Sequence, residues 1–160
     1  MIMDAKREFL RHTVATLAYR GGKAVSTSQS AFAETCVGHG CRTAIAILAH
    51  LGDLLDWALS MAKGPPVWKS AAPHSWEAER QRFFDGLQRL DDFLASDAPL
   101  GCSAEKLFQG PIADALTHVG QLATLRRVAG HPVRGENYFK AEIVVGRVGP
   151  EQSSTRVEFD

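Results

Sequence analysis

The stretch from Ala44 to Ala62 constrains the fold of this 160-residue chain more than any other feature. It is apolar almost throughout, and Gly64-Pro65-Pro66 follows it, a combination through which no helix continues. Taken from Arg42 to Lys63 it reads as one helix whose polar residues Arg42, Asp53, Asp56, Ser60 and Lys63 share a narrow stripe. Most of its circumference is therefore expected to be buried. His50, Asp53 and Asp56 interrupt the run, which makes it a core helix and a poor membrane span.

Three more segments carry helical spacing, separated by stretches rich in Gly, Pro and Ser. The first runs from about Asp4 to Ala24 on Phe9, Leu10, Val14, Leu17 and Ala18; Gly21-Gly22 weakens its last turn and Ser26-Thr27-Ser28 is its exit loop. Another starts after Pro73, with Ser75 as N-cap and Glu77 and Glu79 near the positive end of the dipole. Trp76, Phe83, Leu87, Leu90 and Leu94 form its seam, and residues 96–99 end it. The last is expected to open at Gly110-Pro111, with proline at the first helical position, and to close near Ala129 before Gly130 and Pro132. Residues 142–148 are β-branched enough for a strand but have no partner, so a packed tail with one short helix is expected there. The fold class that follows is all-α: a four-helix bundle over residues 1–130, with an irregular C-terminal tail over 131–160 packed on it. The first two connections are long enough to be crossovers.

Charge and cysteine content narrow the function. Lys plus Arg equals Asp plus Glu at 18 each, so the basic excess of a nucleic-acid binder is missing. Residues 1–8 hold no apolar stretch of a secretory signal, and Cys36, Cys41 and Cys102 are an odd set that suits a reducing compartment. A cytoplasmic protein, without nucleic-acid or membrane partners, is expected. Four amphipathic helices in so small a chain leave an apolar strip, and a homodimer would cover it.

The chemistry concentrates on two helices. Asp114 and His118 are four apart, so both side chains lie on one face, and Gln121 continues that face a turn later. A carboxylate and an imidazole so spaced can chelate one cation. On the apolar helix, His50 stands at the border of the polar stripe, with Asp53 three residues on, placed to accept a hydrogen bond from the imidazole. If the two helices run parallel, His50, Asp114 and His118 reach similar depths and meet at one level. Two histidines and a carboxylate leave coordination positions open, as a catalytic metal requires. The same residues also read as a satisfied polar pair beside a boundary histidine. Cys36-x-x-His39-x-Cys41 carries ligand types for structural zinc, with Cys102 or another His as a fourth, but the glycines flanking His39 suggest a plain turn. Trp57, Trp68 and Trp76 read as core or rim residues, Trp68 at a pocket mouth.

His50-Leu51-Gly52-Asp53 resembles the H-x-x-D of the DinB/YfiT-like superfamily, and Asp114-Ala115-Leu116-Thr117-His118-Val119-Gly120-Gln121 resembles its H-x-x-x-H-x-G-Q helix. The resemblance covers residues 1–130 in element order and length. It implies a four-helix bundle, commonly dimeric, with a divalent metal held by three histidines, and activities that include transfer from low-molecular-weight thiols and isomerisation. His50, Asp114 and His118 are the metal ligands it points to, with Asp53 and Gln121 behind them. Asp114 stands where the family carries a histidine, which makes the site harder and more anionic and leaves zinc, nickel, manganese and iron all admissible. Two functions follow as expectations: a metal-dependent thiol transferase or hydrolase acting on a small electrophile, or a metal-silent dimeric binding or stress-associated module.

Overall fold

Each long helix starts on a side chain that accepts a backbone N–H, satisfying a donor that the first turn leaves without a helical partner. Asp4 caps α1 (Ala5–Val25) through the N–H of Lys6, Thr43 caps α2 (Ala44–Lys63) through that of Ala46, and Ser75 caps α3 (Trp76–Ala95) through that of Ala78. In this computed structural model residues 4–27 and 30–159 are described. Met1, Ile2 and Met3, which bear on a leader, and Ser28 of the first exit loop lie outside them.

The fourth helix departs from expectation at its start. It spans 104–128 as α4, built from a first α turn (Ala104–Leu107), a π-helical segment (Phe108–Ile112) and a long α portion (Ala113–Val128). Ser103, whose hydroxyl accepts from the N–H of Lys106, is its cap, so Pro111 lies inside the helix. The wider turn accommodates a residue that lacks an N–H and crowds the preceding turn: the N–H of Ala113 reaches back to the carbonyl of Phe108, five residues away. At the other end the expected closure holds. Gly130 takes φ +82°, its N–H donates to Arg127 O, and the N–H of His131 donates to Arg126 O, the paired bonds of a Schellman cap.

Contacts between side chains set the helix directions. Arg11 pairs with Asp91, Arg7 reaches the carbonyls of Phe93 and Leu94, and Gly21 faces Phe83, so α1 and α3 are antiparallel. Lys6 meets Glu105 while Gly21 also faces Val119, so α1 and α4 are parallel. Gly52 faces Arg82, Leu55 faces Gly86 and Asp56 holds Arg89, so α2 and α3 run together. A Cβ on Gly86 would lie 2.9 Å from that of Leu55, so glycine lets these two backbones close up. Trp57 faces Gly110 and Ala62 O accepts from Gly101, so α2 and α4 are antiparallel. The parallel pairing on which the common level of His50, Asp114 and His118 was conditional is thus not the one found. Because α2 and α3 point the same way, residues 64–75 must return along the bundle as a crossover. They do so against α2: Val67 N donates to Ser60 Oγ and Trp68 packs on Trp57.

The helices enclose one core. Val14, Leu17 and Ala18 of α1, Leu48, Leu51 and Leu54 of α2, Phe83, Leu87, Leu90 and Leu94 of α3, and Ile112, Ala115 and Leu122 of α4 are buried together. Each large apolar side chain there contributes about 1.5–3 kcal/mol. The α2 helix is long and apolar enough to span a bilayer by composition, and most of its surface is spent in this core.

After α4 the chain lies on the bundle without regular strands. Its one short helical piece is a 3-10 turn at Tyr138–Lys140, ahead of the 142–148 stretch, which forms no strand among the described residues. Glu136 and Glu158 face each other in a single antiparallel bridge, with Asn137 N bonded to Val157 O and Phe159 N to Gly135 O. The Glu136 carboxylate is buried, accepts from the Tyr19 hydroxyl and pairs with Lys23 at 2.8 Å, fastening the tail to α1. Val148 adds an apolar anchor.

Candidate metal centre

Two antiparallel neighbours, α2 and α4, bring the ligand types together. His50 comes from the second turn of α2, while Asp114 and His118 lie one turn apart on α4, immediately beyond the π segment. His50 Nε2 is 3.8 Å from Asp114 Oδ2, and His118 Nδ1 is 3.3 Å from Asp114 Oδ1. The imidazole rings stand 4.6 Å apart at 65°. One ligand atom from each residue lies within 4.8 Å of the other two, so the group could hold a metal ion. Ligands about 2.1 Å from one tetrahedral ion sit roughly 3.4 Å apart, so small side-chain rotations would close the set. Among the described residues no other group of three His, Cys, Asp or Glu residues comes this close.

Electrostatics and hydrogen bonding ready the imidazoles. His118 Nδ1 is 2.9 Å from the carbonyl oxygen of Asp114; a carbonyl can only accept, so Nδ1 carries the proton and Nε2 keeps its lone pair. The helix thus supplies the orienting partner that ligating histidines commonly have. Burial lowers the pKa of His50, and the neighbouring His118 and Arg42 lower it further, while Asp114 and Asp53 act in the opposite direction. A neutral imidazole is the form that binds a cation.

The group opens onto a cleft of about 1010 Å³, whose walls include Val37, Cys41, Arg42, Ile47, Thr117, Gln121, Thr124 and Leu125. On the opposite side of His50 a second cavity of about 430 Å³ is bordered by Trp68, Ala71 and Pro73 of the crossover. The Trp68 ring lies 5.6 Å from that of His50, and the residue is 48 % exposed, which matches its expected place at a pocket mouth.

The supporting residues are divided. Gln121 is exposed on the cleft wall, on the Asp114 and His118 face. Asp53 is buried but turns to Arg82, whose Nη2 donates to it at 2.7 Å, and accepts more weakly from Ala71 N at 3.4 Å. A buried carboxylate is best served by a fixed guanidinium, so Asp53 touches His50 only through its field. Arg82, which also holds Asp56 and the Ala49 carbonyl, is the residue that sequence reasoning missed. Its only local signal was Glu79, three positions earlier and 3.6 Å away. Cys36 and Cys41 are joined as a disulfide, His39 is exposed between them, and Cys102 is the free cysteine. The disulfide occupies both sulfurs that the alternative zinc set needs.

No protein-family model, curated protein or solved structure matches this chain. The site's own geometry carries its interpretation.

Proposed function

We propose that this protein is a divalent-metal-dependent enzyme of the DinB-like kind, with His50, Asp114 and His118 as metal ligands and a small electrophile as substrate. The observation that carries the reading is the meeting of two imidazoles and one carboxylate, from two helices, on the wall of a cleft of about 1010 Å³. Three protein ligands leave positions for exogenous groups, the pattern of a catalytic rather than a structural site, and the donor set suits zinc, nickel, manganese or iron. A divalent cation held there supplies Lewis acidity that favours the ionised form of a thiol or water, which fits transfer from a low-molecular-weight thiol or hydrolysis. The chain's own residues do the positioning. The Asp114 carbonyl fixes the His118 tautomer, the Asp114 carboxylate bridges the two histidines, and Gln121 offers an amide to whatever enters. The all-helical fold and the positions of His50, His118 and Gln121 support the family reading.

A second reading has its own observation. Asp114 and His118 already contact each other, so the cluster can stand as a satisfied polar group in a metal-silent dimeric binding or stress-associated module. Phe9, 64 % exposed, and Phe108 border an apolar recess with Leu10 and Ala104, the surface we assign to a two-fold partner in either case. The cytoplasm is the compartment we keep for it; the Cys36–Cys41 bridge, a bond that persists in oxidising surroundings, is the observation against it.

The test is thermal unfolding of protein purified without a metal-affinity tag, with elemental analysis alongside. Metal at a hundred times its Kd should stabilise the wild type by about 2.7 kcal/mol, by mass action on the native state. His118→Ala should abolish the response, Asp114→Ala weaken it, and Asp114→His retain or strengthen it for zinc or nickel. Identical wild-type melting with metal and with chelator would leave the binding module standing.

A further inference from the structure

We infer that the cleft at the metal centre takes a small organic anion, and that Arg42 is the residue that holds its negative group. This deepens the metal-enzyme reading and rests on it for the role of the molecule as substrate, though not for its binding. Among the described residues Arg42 is the only Lys or Arg side chain on the cleft wall, and it lies on the same wall as His50, just before α2. Among the described residues it forms no ion pair or hydrogen bond, whereas Arg82 and Arg89, further along the same side of the bundle, are taken by Asp53 and Asp56. Arg42 also borders the smaller cavity, but the one carboxylate there is Asp53, already engaged by Arg82. Among the described residues, therefore, nothing consumes its charge.

The balance of charge facing the cleft points the same way. Among the described residues Asp114 is the only acidic side chain on its wall. With a divalent cation bound, two positive charges, one carboxylate and the Arg42 guanidinium leave a net of two positive charges toward the opening. Without it, the carboxylate and guanidinium cancel, and the fork of Arg42 still offers paired donors to a carboxylate or phosphate. The rest of the wall is mixed. Val37, Ile47 and Leu125 accept an apolar body, and Gln121 and the lone pairs of Thr117 and Thr124, whose protons go to backbone carbonyls, accept polar substituents. A molecule with an anionic end, a short apolar stem and a group that reaches the metal satisfies every part of this wall.

The experiment compares two probes of one shape, 3-mercaptopropionate and 3-mercaptopropionamide, binding to the full-length protein loaded with cobalt(II). Thiol binding is followed in the cobalt absorption spectrum, and the ratio of the amide Kd to the acid Kd is read for wild type, Arg42→Gln and Arg42→Lys. Any chelation by the carboxylate itself persists in all three proteins, so the change in the ratio isolates Arg42. The wild-type ratio should exceed that of Arg42→Gln about fivefold, an ordinary yield for an exposed guanidinium and a carboxylate, and should shrink with added salt. Arg42→Lys should recover part of it. An unchanged ratio in Arg42→Gln overturns the inference while leaving the metal reading intact. Failure to load cobalt overturns the metal reading instead. The same two probes are then compared on metal-free protein by NMR shifts of Gln121 and Thr117, where loss of the preference for the acid in Arg42→Gln supports the inference and its retention refutes it.

Discussion

Replacing Glu136 with alanine should loosen the tail and lower the stability of the whole chain. The Glu136 side chain is 0 % exposed and that of its partner Lys23 10 %, with Nζ 2.8 Å from Oε2. The hydroxyl of the buried Tyr19 donates to the other oxygen. Burial alone would raise the pKa of this carboxyl, but hydrogen bonds from Lys23 and Tyr19 and the charges of Lys23 and Arg156 outweigh it, and the net shift is downward. Truncation strands an ammonium and a hydroxyl. Breaking a buried pair at one partner costs about 3–5 kcal/mol, and an orphaned hydroxyl about 1–3 kcal/mol. Glu158 remains 3.3 Å from Lys23 Nζ and keeps that charge from being wholly unpaired, which sets the net loss at about 3 kcal/mol. For a chain of this size that lowers Tm by about 6–12 °C. Glu136→Gln, which keeps an acceptor oxygen, should lose about half as much, and Tyr19→Phe about 1 kcal/mol. Thermal unfolding at pH 7 reads the loss, and limited trypsin digestion at Lys140 and Arg147 reads the release of the tail. Because the folded carboxyl titrates below the 4.5 of a free glutamate, its stabilisation is complete above that pH and is lost as pH falls through the folded pKa. The gap between wild type and Glu136→Ala should close in that range. A Glu136→Ala protein that melts within about 2 °C of wild type, with unchanged digestion, would refute the clamp.

Two further outcomes follow from the site and its rim. In chelator, His50 protonates less readily in the folded chain than a free histidine does at its ordinary pKa of 6.5, so the unfolded chain binds its proton first as pH falls. Stability should decline from about pH 7 until the folded pKa is passed and then level off, and His50→Gln should remove that decline, as urea unfolding across pH will show. Reduction of the Cys36–Cys41 bridge, or Cys36→Ser, should cost no more than about 2 kcal/mol, because a sequence separation of five closes a very small loop. Melting with and without a thiol reductant, scored beside the thiol titre, checks this, and a loss twice as large would show that the loop organises the cleft wall.

Residues whose signals are local were legible. Ser75 with its acidic first turn located the start of α3, and Gly64-Pro65-Pro66 located the end of α2. The four-residue interval between Asp114 and His118 placed both on one face whichever way the helix ran, and the apolar run around His50 placed it at a core border. The start of α4 was ambiguous because a proline fits a first turn and a π turn equally well. Ser103 three residues before Lys106 was the cap signal that decides it. Helix direction was not legible at all: twelve residues suffice either to turn back or to cross the bundle, and only packing chooses. The same holds for Asp53, whose partner Arg82 is 29 positions away and is brought near by the fact that α2 and α3 run the same way.

The π segment at Phe108–Ile112 bears on how such a centre can arise and be lost. It takes up one residue beyond the α repeat in a single wide turn, so the rotation of about 100° that this residue would otherwise impose downstream is absorbed locally. Asp114 and His118 owe their orientation toward α2 to that phase, and so do Leu122 and Leu125, which fill the core from the same helix. A further residue inserted there with no second wide turn to absorb it would turn both sets away together, whereas substitutions change one side chain at a time. Packing and chemistry are thus carried on one inherited phase. Selection for a stable bundle alone would preserve the meeting of Asp114, His118 and His50, so the geometry can outlast an activity and be ready when another is favoured.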